Sequence, residues 1–205
     1  MKRQAEIIQQ MSDKDITIQL IATQIILLSI ALVTSLFLFD AYWSDWMSLF
    51  PISPSMWVWY GVIPGLLILL IDFTLLYSLP KRFYDDGGIN EKVFKNRTTP
   101  SVILLTLLIA ISEEMLFRGV VHTQFGYVIA SIVFAVIHFR YLTKPVLLIS
   151  VLLVSFYIGY LFEVTESLTV TITAHFIVDA VLGLWIRYGK WGRENGESTS
   201  IKGSS

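Results

Sequence analysis

Cysteine is absent from this sequence. That excludes disulfides, thiolate nucleophiles and cysteine-based metal sites. Charge is scarce as well: Asp, Glu, Lys and Arg make up 15% of the residues, where a soluble domain carries about 25%. The formal net charge is −1, so no whole-protein field draws nucleic acid, and no nucleic-acid partner is expected. Segments of alternating polarity, which a membrane β-barrel would need, are missing, as are internal repeats and low-complexity tracts. No cleavable leader is read at the start. The first apolar run, Ile16 to Phe39, exceeds the roughly 7–15 residues of a signal-peptide core, and no small-residue cleavage site follows it, so it reads as a retained anchor.

Apolar residues fill the space left by charge. They make up 55% of the 205 residues, and the mean hydropathy is +0.67. A bilayer core takes about 20 apolar residues per helix. Segments near 16–39, 57–79, 101–121, 125–140, 145–163 and 167–187 meet or approach that length. The third holds Glu113, Glu114 and Arg118, and the fourth is short. Each must satisfy its backbone internally, so each is expected to be helical. The expectation is an all-α, polytopic transmembrane helix bundle of about six spans, a single membrane domain over 1–205, multi-pass in the cell membrane.

Basic residues supply an independent test, because they collect in cytoplasmic loops. With the N-terminus inside, the inner segments hold Lys2, Arg3, Lys14, Lys81, Arg82, Lys92, Lys95, Arg97, Arg140, Lys144, Arg187, Lys190, Arg193 and Lys202. Only Arg118 is left over, within a helix. This pattern predicts both termini in the cytoplasm. Asp40, Trp43 and Trp46 suit an outer interface, and Trp57, Tyr60, Trp185 and Trp191 are expected as interface anchors. Asp85-Asp86-Gly87-Gly88 reads as a turn, and the polar stretch 192–205 as a disordered tail.

Ionisable groups inside a span cost about 2.5–3.5 kcal/mol each on the insertion scale, so their presence needs a reason. Here they are Glu113, Glu114 and Arg118 on the third segment, His138 on the fourth, His175 and Asp179 on the sixth, and Asp72 apart on the second. Glu114 and Arg118 are i and i+4 and share a helix face, as do His175 and Asp179. Glu113 lies about 100° around the helix from Glu114, so it is expected to point elsewhere. At 1.5 Å per residue, Glu113 and His175 both fall roughly 12 Å below the outer boundary, with His138 and Asp179 at roughly 18–20 Å. Helices distant in sequence thus place acids and imidazoles in one slab of membrane. The set suits water activation, a carboxylate taking the proton and imidazole holding the water. Alternatively His138, His175 and a carboxylate such as Asp179 could bind zinc, with Glu113 as base.

These residues also stand in three motifs: Glu113-Glu114-Met-Leu-Phe-Arg118 as EExxxR, Phe134-Ala-Val-Ile-His138 as FxxxH, and His175-Phe-Ile-Val-Asp179 as HxxxN/D. In that order on successive membrane helices, they resemble the CPBP family of CAAX prenyl proteases and bacteriocin-processing enzymes, also called the Abi family. The likeness covers roughly 100–185, within an expected catalytic helix core over 100–187. It implies an intramembrane endopeptidase acting on a peptide or membrane-protein substrate. Glu113 and His138 would activate the water, His175 and Asp179 would stabilise the oxyanion, and Glu114 and Arg118 would support the site. Asp179 departs from the Asn of eukaryotic-type members: an ionised Asp cannot donate to an oxyanion, so it must be protonated, orient His175 or bind metal. The signatures HExxH, GxSG and GxGD are absent, which removes other membrane proteases.

Simpler readings stand beside these. Glu114–Arg118 would serve equally as a structural ion pair, and His122 is expected at the outer loop without a function. Asp72 is assigned no role. The alternative function is a non-catalytic membrane scaffold or bacteriocin immunity factor of the same fold. A small transporter would favour paired repeats and interrupted helices, and neither is present.

Overall fold

The computed structural model describes residues 2–51, 53–80, 83–138 and 144–189, the side chains of residues 2–5 and 145 excepted. The expected tail 192–205, the anchor Trp191 and the basic residues Lys81, Arg82, Arg140, Lys190, Arg193 and Lys202 lie outside them. The elements are helices α1 (Lys2–Gln10), α2 (Asp13–Leu38), α3 (Tyr42–Ser48), α4 (Pro54–Ser78), α5 (Ile89–Phe94), α6 (Thr99–Phe125), α7 (Tyr127–Ile137), α8 (Pro145–Thr165) and α9 (Leu168–Arg187). No strand occurs among the described residues.

Five helices, α2, α4, α6, α8 and α9, are long and apolar enough to cross a bilayer. The protein is a polytopic membrane helix bundle. The fourth apolar segment is shorter than the sequence suggested: α7 has 11 residues, or about 16 Å of rise, against a hydrocarbon core of about 30 Å. It stops because the backbone leaves helical geometry at His138 (φ −80°, ψ 37°). A histidine is thereby set at a helix end rather than on a helix face.

Polar caps mark the starts of α2, α4, α6 and α9, whereas α8 begins on Pro145 without a side-chain cap. Ser12, Ser53, Thr98 and Ser167 each accept a hydrogen bond from the backbone N–H three residues on, and so satisfy a donor that the first turn leaves open. Gly126, at φ 87°, lets the chain reverse from α6 into α7. The turn at Asp85–Gly88 forms as expected: Asp85 and Asp86 carboxylates accept from the N–H groups of Gly87 and Gly88.

Contacts fix the directions of the helices. Helix α2 runs parallel to α6: Asp13 meets Asn96 at one end, Gln24 meets Ser112 in the middle, and Ser35 holds Trp46 over Gly119 at the other. Helix α9 runs antiparallel to α6, with Tyr188 hydroxyl 2.8 Å from Thr99 Oγ1 at one end and Leu168 beside Gly119 at the other. Helix α4 follows α9, and α7 lies antiparallel to α8 through Tyr127–Phe156 and Ser131–Ser155.

Lipid offers little hydrophobic drive for helix association, so close backbone approach and polar contacts must supply it. Gly61 and Gly65, four apart on α4, meet α9 so closely that a Cβ at Gly65 would lie 3.1 Å from Ala174 O. Half of the apolar window of α6 is buried, against 17% of that of α2, which makes α6 the centre and α2 a lipid-facing wall. One tryptophan differs from expectation: Trp46 is buried, its Nε1 donating to Ser35 Oγ at 3.0 Å. Trp185, near the end of α9, is half-buried and packs edge-on against Phe73. Trp43, 78% exposed, fits an interface.

Candidate active site

The central helix α6 carries Glu113, Glu114 and Arg118. Just after Glu114 its hydrogen bonding widens to the π pattern, over Met115–His122. Such segments recur at functional sites because they re-aim side chains out of regular spacing. Glu114 and Arg118 have no solvent exposure. Arg118 Nε lies 3.4 Å from Glu114 Oε2. Arg118 Nη2 donates to the carbonyl and hydroxyl oxygens of Ser155 on α8, at 3.0 and 3.3 Å. The guanidinium also stacks 4.6 Å above the Phe134 ring, a cation–π contact that strengthens when desolvated. The expected i,i+4 pair is therefore present, and it ties α6 to α7 and α8.

Glu114 does more than pair with Arg118. Its Oε1 accepts from His175 Nδ1 at 2.8 Å. A carboxylate only accepts, so this bond puts a proton on Nδ1 and orients the ring. The other ring nitrogen, Nε2, faces Asp179 Oδ2 at 3.5 Å and Glu113 Oε2 at 3.9 Å. Three acids of two helices surround one imidazole, and Glu114, not the motif neighbour Asp179, lies nearest. Axial rise could place all of them in one slab. Which carboxylate turns to His175 depends on how α6 and α9 are rotated against each other, and only packing sets that.

Glu113 does not point elsewhere as its place around the helix suggested: it reaches the same imidazole as Glu114, from the Nε2 side, and it also lines a cleft of about 440 Å³. The walls come from α2 (Thr23, Gln24, Leu27), α6 (Glu113, Leu116, Phe117, Val121) and α7 with its end (Val133, Ile137, His138). Thr23, Val133 and Ile137 are exposed on the outside of the bundle, so the cleft opens between α2 and α7 toward the surrounding lipid. His138 Nδ1 donates to Phe134 O at 2.8 Å, and the neutral ring then carries its lone pair at Nε2. Glu113 and His138 thus share one cleft, while His175 and Asp179 do not line it. Gln24 was not singled out in the sequence. A lone amide within an apolar run was the available signal, but polar residues such as Thr23 and Ser29 interrupt the same run.

The zinc set of His138, His175 and Asp179 does not assemble. Among the described residues no three His, Asp or Glu side chains are arranged to hold a metal ion. His138 lines the cleft while His175 and Asp179 do not, and the Phe134 ring packs against both imidazoles, 4.8 Å from one and 6.0 Å from the other. His122 also differs from expectation. It is buried on α6 rather than in a loop, with Nε2 2.7 Å from Glu163 Oε2 on α8. Asp72 of α4 lies within electrostatic reach of Asp179.

A family model for type II CAAX prenyl endopeptidase Rce1-like proteins matches residues 95–181. The protein YpbD of Bacillus subtilis (strain 168), itself uncharacterized, is 45% identical over 166 residues, which covers 81% of this chain and 87% of YpbD. The chain belongs to the CPBP family. All six motif residues of this CPBP protein, Glu113, Glu114, Arg118, His138, His175 and Asp179, fall within the matched stretch. Helix α2, which forms one wall of the cleft, falls outside it. No solved structure matches the CPBP protein.

Proposed function

We propose that this CPBP protein is an intramembrane endopeptidase, a single multi-pass domain of the cell membrane with both termini in the cytoplasm, whose catalytic core spans 100–187. The observation that carries the reading is that a carboxylate and an imidazole from different helices, Glu113 and His138, line one cleft opening toward lipid. A peptide or membrane-protein substrate reaches the cleft between α2 and α7. Glu113 takes a proton from water, whose oxygen bonds to the carbonyl carbon of the scissile peptide. His138 Nε2 accepts the water's other hydrogen bond and orients it. The electron pair of the C=O bond moves to oxygen, then returns as the C–N bond breaks and the proton on Glu113 passes to the departing nitrogen. His175, protonated on both ring nitrogens between Glu114 and Asp179, stabilises the negative charge on the Glu113 side of the cleft. Arg118 holds Glu114 in place. No step runs through a metal, because among the described residues no three His, Asp or Glu side chains converge on one.

The test compares membrane peptidomes of cells carrying the wild-type and the Glu113→Gln protein. An amide cannot take the proton from water, so a set of cleavage products is expected to vanish while membrane insertion stays normal. His138→Ala is expected to remove the same products. Products unchanged in Glu113→Gln cells would exclude Glu113 as the base. A biological effect that survives both substitutions would point instead to the scaffold or immunity role.

A further inference from the structure

One polar side chain of the cleft has no part in the mechanism above. Gln24 is 4% exposed on α2, a helix otherwise turned mostly to lipid. Ser112 Oγ lies 2.6 Å from Gln24 Oε1. Its one hydroxyl proton has three oxygens in reach, Gln24 Oε1 at 2.6 Å and the carbonyls of Leu108 and Ile109 at 2.8 and 3.1 Å; the shortest contact is to Gln24, whose amide is set with Oε1 toward α6. Ser112 is itself fully buried and immediately precedes Glu113, so the contact ties Gln24 to the backbone that carries the base. Gln24 lines the cleft together with Glu113 and His138. No described residue accepts a hydrogen bond from its Nε2, and that nitrogen is not among the buried atoms without a partner. Its two N–H donors therefore remain reachable from the cleft.

Among the described residues, the other polar groups on the cleft wall do not offer such a donor. Glu113 is an acceptor when ionised. His138 spends its Nδ1 proton on Phe134 O, and Thr23 donates its hydroxyl to Gln19 O at 2.8 Å. Arg118 is sealed beneath the wall, with no exposure. A peptide carbonyl under attack by water gains negative charge on oxygen, and fixed N–H donors stabilise that charge best where water is excluded.

We propose that Gln24 donates a hydrogen bond from its side-chain amide to the carbonyl oxygen of the peptide bond under attack. This role rests on the endopeptidase reading and adds to it a donor on the α2 wall of the cleft, outside the three motifs. The test uses the full-length protein in proteoliposomes with an internally quenched farnesylated CAAX peptide as probe, and product peptides from whole membranes as a second readout. Gln24→Met keeps the length of the side chain and removes the donors. Loss of one such donor is expected to lower kcat about 10²-fold while KM changes little. Gln24→Glu keeps an acceptor for Ser112 without offering an N–H, and is expected to fall as far. Ser112→Ala leaves the amide present but less well held, and is expected to lose less activity than either. Near-wild-type kcat in Gln24→Met or Gln24→Glu, alongside an inactive Glu113→Gln, would overturn the role of Gln24 alone. Equal losses of kcat and melting temperature in Gln24→Met and Ser112→Ala would make Gln24 a structural tie between α2 and α6, and would also overturn it. Full activity of Glu113→Gln, or no Glu113-dependent product in either readout, would overturn the endopeptidase reading and this role together.

Discussion

Removing Glu114 tests the physical core of the site without touching the base. In Glu114→Ala, Arg118 would remain fully buried with its guanidinium charge and no carboxylate at its Nε. Only Nη2 keeps partners, on Ser155, because Nε and Nη1 make no hydrogen bond even in the intact protein. Stranding one member of a buried pair costs about 3–5 kcal/mol. His175 would also lose its 2.8 Å acceptor, a contact of the charge-assisted kind worth about 1.5–3 kcal/mol. The two losses share one carboxylate and are not additive, so we expect a destabilisation of about 3–5 kcal/mol. For a chain of this size that lowers the melting temperature by about 6–20 °C. Thermal unfolding in detergent micelles measures it, for Glu114→Ala, Arg118→Met and the double variant. Removing both charges leaves no stranded ion, so the double variant should be more stable than the sum of the singles predicts, and close to the better of them. A Glu114→Ala protein within 1 kcal/mol of wild type would refute the reasoning: it would mean that Arg118 finds water or a new partner, and that the pair does not hold α6 to its neighbours. The 1 kcal/mol threshold is about the value of an exposed pair.

Two further outcomes follow from the packing. Gly119→Ala puts a Cβ 2.9 Å from the Trp46 ring, and overpacking of this kind costs about 1–3 kcal/mol. A lowered melting temperature, relieved in part by a smaller residue at position 46, would support the close seat of α3, whereas no change would count against it. His122→Phe removes the 2.7 Å contact with Glu163, but Glu163 is 57% exposed and can turn to polar surroundings, so the α6–α8 contact should lose no more than about 0.5–1.5 kcal/mol, with cleavage per folded molecule unchanged. Loss of activity without loss of stability would assign His122 to the site instead.

The composition and the long apolar runs settled the solvent, the helical class and nearly every span, because a bilayer leaves an isolated segment no other way to satisfy its backbone. The i,i+4 spacing also made the Glu114–Arg118 pair visible, since that contact lies within one helix. The end of α7 at His138 was hidden, because hydropathy continues past the residue where the backbone turns. The removal of the zinc alternative, the turn of Glu114 toward His175, the burial of Trp46 and His122 and the place of Gln24 in the cleft were equally out of reach. All of them depend on how helices rotate and press against one another, and one chain's periodicity gives a helix its faces but not its neighbours. Sequence by itself determined what this protein dissolves in and which residues are too polar to be there without cause. Only the tertiary structure decided which of those residues meet, because in lipid the choice of partner rests on close packing and hydrogen bonds rather than on hydrophobic burial.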